Sequence, residues 1–161
     1  MRLPLAQALC IMHLMENPNT YSTARSLPIA LLRARERVMG PIRALLSDVG
    51  ITEQQWRVLR VLDESGPQDP TSIAESACLL LPSLTRILQK LEEKDLIDRT
   101  PDKVDRRRQV ISISAGGSAL IAKNLGHSIA LLDGLRAQMG PEDYDRLLDL
   151  LNALNNVEID T

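Results

Sequence analysis

The 161-residue chain contains no phenylalanine, one tryptophan and two tyrosines. An interior without aromatics must be filled by Leu, Ile, Val, Ala and Met, and these residues at helical spacing predict a mainly α protein. Cysteine is equally scarce. Cys10 and Cys78 are too few for a disulfide framework and lack metal-ligand spacing, so a reducing, cytoplasmic setting is the expectation. Neither sign of charge dominates: 19 Lys and Arg against 21 Asp and Glu leave a net charge of −2. That excludes the indiscriminate nucleic-acid affinity of a strongly basic chain. No apolar run has membrane-spanning length, so no membrane partner is expected. Leu3 to Met15 is mildly hydrophobic behind Arg2, but Pro4, Gln7 and His13 interrupt it and no small-residue cleavage site follows; it is not read as a signal peptide. Glycine-rich phosphate loops and nucleophile elbows are missing as well. His13 and His127 stand alone, and Glu92-Glu93 and Glu142-Asp143 read as solvated helical faces. With no convergent catalytic set, no enzyme, metal or cofactor is expected.

What the chain does contain is concentrated between Pro70 and Ser114. Pro70 to about Ala77 reads as a short helix, with Asp69 as an acidic cap ahead of a proline at the first helical position. Pro82 to Lys94 reads as a second helix. Ile73, Ala77, Leu79, Leu84 and Ile87 are spaced so that two steeply crossing helices share one small core, with Ala74 at their closest approach. This leaves Ser83, Thr85, Arg86, Gln89 and Lys90 outward, residues suited to base edges and the phosphates beside them. Thr71 and Ser72 on the first helix join them as candidate DNA contacts. Leu96 to Arg99 and Gln109 to Ser114 have strand character, the latter alternating polar and β-branched residues. The polar loop between them carries Asp105, Arg106, Arg107 and Arg108. A hairpin with a cationic tip beside a helix-turn-helix predicts a winged helix-turn-helix that binds double-stranded DNA, with a small two- to three-stranded β-wing.

The flanks read as helices. By size the chain is one domain, divided here into 1–25, an N-terminal extension; 26–50 and 115–161, dimerisation helices; and 51–114, the DNA-binding unit. The extension ends in a turn-rich stretch, Glu16 to Thr23. It is read as short helix or loose chain, with an arm around a partner subunit as the sharper reading and Met15 as another possible start. Leu27 to Leu46 is a helix with Pro28 in its first turn and Ser26 as a cap, and Pro41 should kink or break it. Thr52 to Leu62 is a helix opened by a Thr52–Gln55 capping box. Ala115 to Gln138 is long and amphipathic through Leu120, Ile121, Leu125, Ile129, Leu132, Leu135 and Met139. Pro141 to Asn156 follows, with Tyr144, Leu147, Leu148, Leu151 and Leu154 on one face. Pairing within one chain covers part of these stripes, and the remainder suggests a two-fold homodimer with interleaved terminal helices, the alternative being a monomer with a thicker core. Cys78 is expected to be a small core residue.

The run Asp102-Lys103-Val104-Asp105-Arg106-Arg107-Arg108-Gln109-Val110-Ile111-Ser112-Ile113-Ser114 resembles the wing signature of the MarR family of transcriptional regulators. Ser26 to Glu36, Thr52 to Val58, Ala77-Cys78 and Leu81 to Thr85 are similar to one subgroup, the repressors of homoprotocatechuate degradation operons. The resemblance spans roughly Ser26 to the C-terminus. It implies a repressor that binds a pseudo-palindromic operator as a dimer. It also implies that Asp105 orients an arginine while Arg106 or Arg107 reaches the minor groove. It implies further a pocket for a small aromatic acid with a catechol ring, for which Ser26, Arg35, Trp56 and Arg57 are the available residues; cap, surface ion pair and core tryptophan are their plainer roles. Cys78 stands where many helix-turn-helix proteins carry glycine. Two alternatives remain: a redox-sensing member of the family acting through Cys78 or Cys10, and a helical interaction module without DNA binding.

Overall fold

The computed structural model describes residues 22, 23, 25–102, 105, 106 and 108–158. Among them the elements run α1 (Leu27–Asp48), α2 (Glu53–Ser65), α3 (Pro70–Ser76), α4 (Leu81–Glu92), β1 (Ile97–Pro101), β2 (Gln109–Ile113), α5 (Ala115–Met139) and α6 (Pro141–Asn155). The fold is mainly α with one small hairpin, as the composition required. The chain divides into two compact units, residues 1–41 and 42–161, where length alone led us to expect one. Length bounds how much core a chain can build but not how its contacts cluster. The extension up to Tyr21, with Cys10 and His13, lies outside the described residues.

Three helices, α2, α3 and α5, start on a side-chain cap. In α1 the Ser26 carbonyl accepts the Ala30 N–H at 2.8 Å. Pro41 lies inside this helix, which does not break there. A proline in a helix interior costs roughly 3 kcal/mol, but continuing past it buries Ile42 and Leu46. Full burial of two such side chains stabilises by roughly 3–6 kcal/mol, enough to prevail. At α2 the capping box forms in full: Thr52 Oγ1 accepts the Gln55 N–H at 3.2 Å and Gln55 Oε1 accepts the Thr52 N–H at 2.9 Å. At α5 the Ser114 hydroxyl oxygen accepts the Gly117 N–H at 3.1 Å.

Three of the helices end alike. After α1, the Gly50 N–H donates to the Ser47 carbonyl at 3.0 Å and the Ile51 N–H to Leu46 at 3.1 Å. After α3, the Cys78 and Leu79 N–H groups donate to Glu75 and Ala74 at 3.1 and 2.8 Å. After α4, those of Asp95 and Leu96 donate to Glu92 and Leu91 at 2.9 and 3.0 Å. This is the Schellman pattern, which requires a left-handed residue. Gly50, Cys78 and Asp95 fill that position with φ of 70°, 51° and 55°.

The core of the second unit is aliphatic apart from Trp56. Val58, Leu59 and Leu62 of α2, Ile73 of α3, Leu84 and Leu91 of α4, Ile111 of β2 and Ile121 of α5 are almost wholly buried. Helix α2 lies at its centre, touching α3, α4, β2 and α5. The hairpin is antiparallel, with Ile97 opposite Ile113 at its base and Pro101 opposite Gln109 toward the tip. Gln68, in the turn before α3, adds one bridge to Ile111, the two residues exchanging N–H···O bonds of 3.0 and 2.8 Å. The wing is therefore two strands plus a single bridging residue. Helix α5 carries a buried row, Gly117, Ile121, Asn124 and Ser128. Helix α6 buries no residue, and Leu147, Leu148, Leu150 and Leu154 all lie exposed.

Candidate nucleic-acid interface

Asp69 organises the entry to the helix-turn-helix. Its carboxylate accepts the Thr71 N–H at 2.9 Å, the Ser72 N–H at 3.3 Å and the Ser72 hydroxyl at 2.7 Å. The Ser72 hydroxyl bond, the two N–H groups and the positive charge of Arg108 hold this carboxyl below its ordinary value of 3.8. Thr71 is exposed, as a phosphate contact requires, whereas Ser72 is half-buried and its hydroxyl is engaged in the cap.

Helix α4 is two-faced. Leu84, Ile87, Leu88 and Leu91 are buried, while Ser83, Thr85, Arg86, Gln89 and Lys90 are all exposed. The 3.6-residue period of the sequence thus places the five predicted contacts on one outward surface. Two have partners in or just beyond the helix: Thr85 Oγ1 donates to the Leu81 carbonyl at 3.1 Å, and Lys90 Nζ lies 2.7 Å from Oε2 of Glu93, the C-cap. Such exposed contacts are weak enough to exchange for a phosphate.

The corner between the helices differs from expectation at one residue. Cys78 is exposed, with its thiol free, and is not part of the core. Its positive φ explains this: the Schellman corner turns the chain outward there, and Ala77 takes the buried place. The glycine-like position is thus real, filled by a residue with a Cβ.

The tip of the wing is a tight backbone turn. The Asp105 N–H donates to Asp102 Oδ1, the Arg108 N–H to the Asp105 carbonyl and the Asp102 N–H to the Arg108 carbonyl, each at 2.9 Å. Asp105, Arg106 and Arg108 are exposed. Arg107 lies outside the described residues. At the base, Arg99 Nε lies 2.8 Å from Glu92 Oε2, tying β1 to the end of α4.

Ser114 joins three elements, a role the sequence reading missed. Its hydroxyl donates to the Asp95 carbonyl at 2.6 Å, its N–H donates to Leu96 at 3.1 Å, and its oxygen caps α5. Gly117 completes the joint: a Cβ there would strike the Leu96 carbonyl and come 2.7 Å from Ile113 Cγ1. The signal was present, a serine ahead of Ala115-Gly116-Gly117, but caps are found only by asking where every helix begins.

Of the four candidate effector residues, Ser26 and Arg35 belong to the first compact unit and Trp56 and Arg57 to the second. Ser26 is half-buried beside the start of α1, and Arg35 is exposed, 3.1 Å from Glu36. Trp56 is buried on α2, and Arg57 has its Nε buried without a hydrogen-bond partner among the described residues. Also among the described residues, no cluster of His, Cys, Asp or Glu could hold a metal ion, and no helix is long and apolar enough to cross a membrane.

This arrangement can be compared with known proteins. The model of the MarR family matches residues 51–108, from the start of α2 to the tip of the wing. The transcriptional regulator FarR of Neisseria gonorrhoeae is 36% identical over 140 residues, covering 86% of this chain and 95% of FarR. This chain belongs to the MarR family. The homoprotocatechuate degradative operon repressor of Escherichia coli is 38% identical over 126 residues, 78% of this chain and 85% of that protein. The crystal structure of NadR in complex with 4-hydroxyphenylacetate superposes with a TM-score of 0.73 at 37% identity, covering 83% of this chain and 94% of NadR. As a MarR-family protein the chain is a DNA-binding transcription regulator, and its winged helix is the family's fold. The alternative of an interaction module without DNA binding falls with this assignment.

Proposed function

We propose that this MarR-family protein is a dimeric repressor of an aromatic catabolic operon. It binds a pseudo-palindromic operator and is released by a small aromatic acid such as homoprotocatechuate. The observation that carries this reading is the outward face of α4: five polar or basic side chains stand opposite a wholly aliphatic buried face, and the wing loop that follows in the chain bears exposed Arg106 and Arg108. In a two-fold dimer, two such helices occupy successive major grooves about 34 Å apart. Wing arginines then reach phosphates or the adjacent minor groove, where narrow A·T-rich stretches favour cationic side chains. The uncovered leucines of α6 support the dimer. Similarity to the homoprotocatechuate repressor and to 4-hydroxyphenylacetate-bound NadR supports an aromatic acid as effector. Within the second unit, Arg57, whose Nε is buried without a hydrogen-bond partner among the described residues, offers the carboxylate of such a ligand a cation. A ligand that favours the wider head spacing by ~1–3 kcal/mol is sufficient to release the DNA.

The test is a gel-shift titration on the DNA upstream of the protein's own gene, with and without homoprotocatechuate or 4-hydroxyphenylacetate. Binding that the acid weakens is the expected result. Arg107→Ala should lower affinity and flatten its salt dependence. Unchanged affinity and slope would refute the wing's role, and indifference to both acids would refute the effector class. The exposed thiol of Cys78, set at the helix-turn-helix corner, favours one second reading, a redox sensor. Operator release by peroxide that Cys78→Ser abolishes would establish it over the aromatic acid.

A further inference from the structure

The most exposed large apolar side chain among the described residues is at the leading end of the DNA-reading helix. Leu80 is 77% exposed, and its neighbour Leu81 is 46% exposed. Leu80 is also the N-cap of α4 and makes no side-chain cap bond, although α2, α3 and α5 begin on Thr52, Asp69 and Ser114, which all do. A leucine in that position forgoes the stabilisation that Ser, Thr, Asp or Asn supplies there. It also leaves a branched hydrocarbon in water. Folding gains nothing from either choice, because Leu84, Ile87, Leu88 and Leu91 already complete the buried side of the helix.

The surroundings narrow what could cover Leu80. After Leu81 and the exposed Pro82 come Ser83, Thr85 and Arg86, all exposed and polar, so Leu80 to Pro82 form an apolar tip on a hydrophilic surface. The first residues of a recognition helix are those that meet base edges. In the major groove every base pair presents donors and acceptors, and thymine alone adds an apolar group, its C5 methyl. From this we infer that Leu80, flanked by Leu81, is a specificity-determining residue that packs on the methyl of a thymine in each operator half-site. The inference rests on the proposed placement of α4 in the major groove. Leu80 then senses a base by contact with its one apolar substituent, while Arg86 and Gln89 supply the hydrogen-bonded readout beside it.

The experiment uses full-length protein and a duplex enriched from a random pool by the wild type. Thymines in each half-site are replaced one at a time by deoxyuridine, which keeps the base pair and O4 and removes only the methyl. Dissociation constants are measured by fluorescence anisotropy for the wild type, Leu80→Ala, Leu81→Ala and Arg86→Ala. For the wild type, one uridine position per half-site should weaken binding about fourfold, the worth of one buried methyl. Leu80→Ala should bind the thymine duplex several-fold more weakly and be indifferent to uridine at that position, while Leu81→Ala keeps most of the sensitivity. Because Leu80 is exposed, its thermal melting point should match the wild type. Wild-type affinity for Leu80→Ala, or a Leu80→Ala variant still sensitive to that uridine, overturns the inference. Arg86→Ala separates the two levels: if it binds weakly and Leu80→Ala normally, only the leucine assignment fails. If Arg86→Ala binds as tightly as the wild type, the placement of α4 fails too.

Discussion

Asp69 does two jobs with one carboxylate. It caps α3 through the Thr71 and Ser72 N–H groups and it feels the positive charge of Arg108 from the wing loop. Asp69→Ala should destabilise the folded protein by about 1 kcal/mol, as loss of a cap does, measured by urea denaturation at neutral pH. The pH dependence has a definite sign. The folded-state pKa lies below 3.8, so the stabilisation is complete above about pH 3.8 and is lost as pH falls through the folded value. The gap between wild type and variant should therefore close in acid; a constant gap would show that the charge does not contribute. Asp69 was legible in the sequence because a cap needs only its own helix. Cys78 was not, because its exposure follows from a backbone angle set by where α4 must begin. A small residue at a helix corner reads equally well as core or as turn.

Within the elements, the amphipathic split of α4 is the feature on which the proposed DNA reading rests. Replacing Lys90 with Ala should remove one phosphate contact per subunit. The slope of log affinity against log salt should then fall by about two for a dimer, with little change in sequence preference. A change in preference without a change in slope would place Lys90 on a base instead. The joint at Ser114 and Gly117 fixes how the head is carried. Helix α5 begins against the end of α4 and the base of the hairpin, held by the Ser114 bonds to Asp95 and Leu96. Gly117→Ala would force a methyl against the Leu96 carbonyl. It should cost about 1–3 kcal/mol, as overpacking does, and lower DNA affinity by disturbing the angle of α4 to α5. Thermal melting and gel shift together check this; an unchanged melting temperature would mean that the joint yields freely. Helix types and starts could be read from apolar spacing and caps. The passage of α1 through Pro41 could not, since it depends on what Ile42 and Leu46 bury into.

For the molecule as a whole, the proposed dimer makes a direct prediction. Leu150 is 59% exposed on a helix that buries nothing. Leu150→Glu should shift the sedimentation coefficient from dimer to monomer and remove most operator affinity, since each head alone holds half the contacts. A variant that stays dimeric would move the interface elsewhere. The sequence alone determined which segments are helix or strand and which faces are apolar, because periodicity, caps and turn residues act through neighbours along the chain. It also placed the polar face of α4 and the cationic loop close together in the chain. Only the tertiary structure decided that Ser114 locks the head to α5, that Gln68 extends the wing, that Cys78 and Leu80 stand in solvent and that α1 continues past its proline. Those outcomes depend on contacts between residues far apart in the sequence, whose energies no local pattern contains.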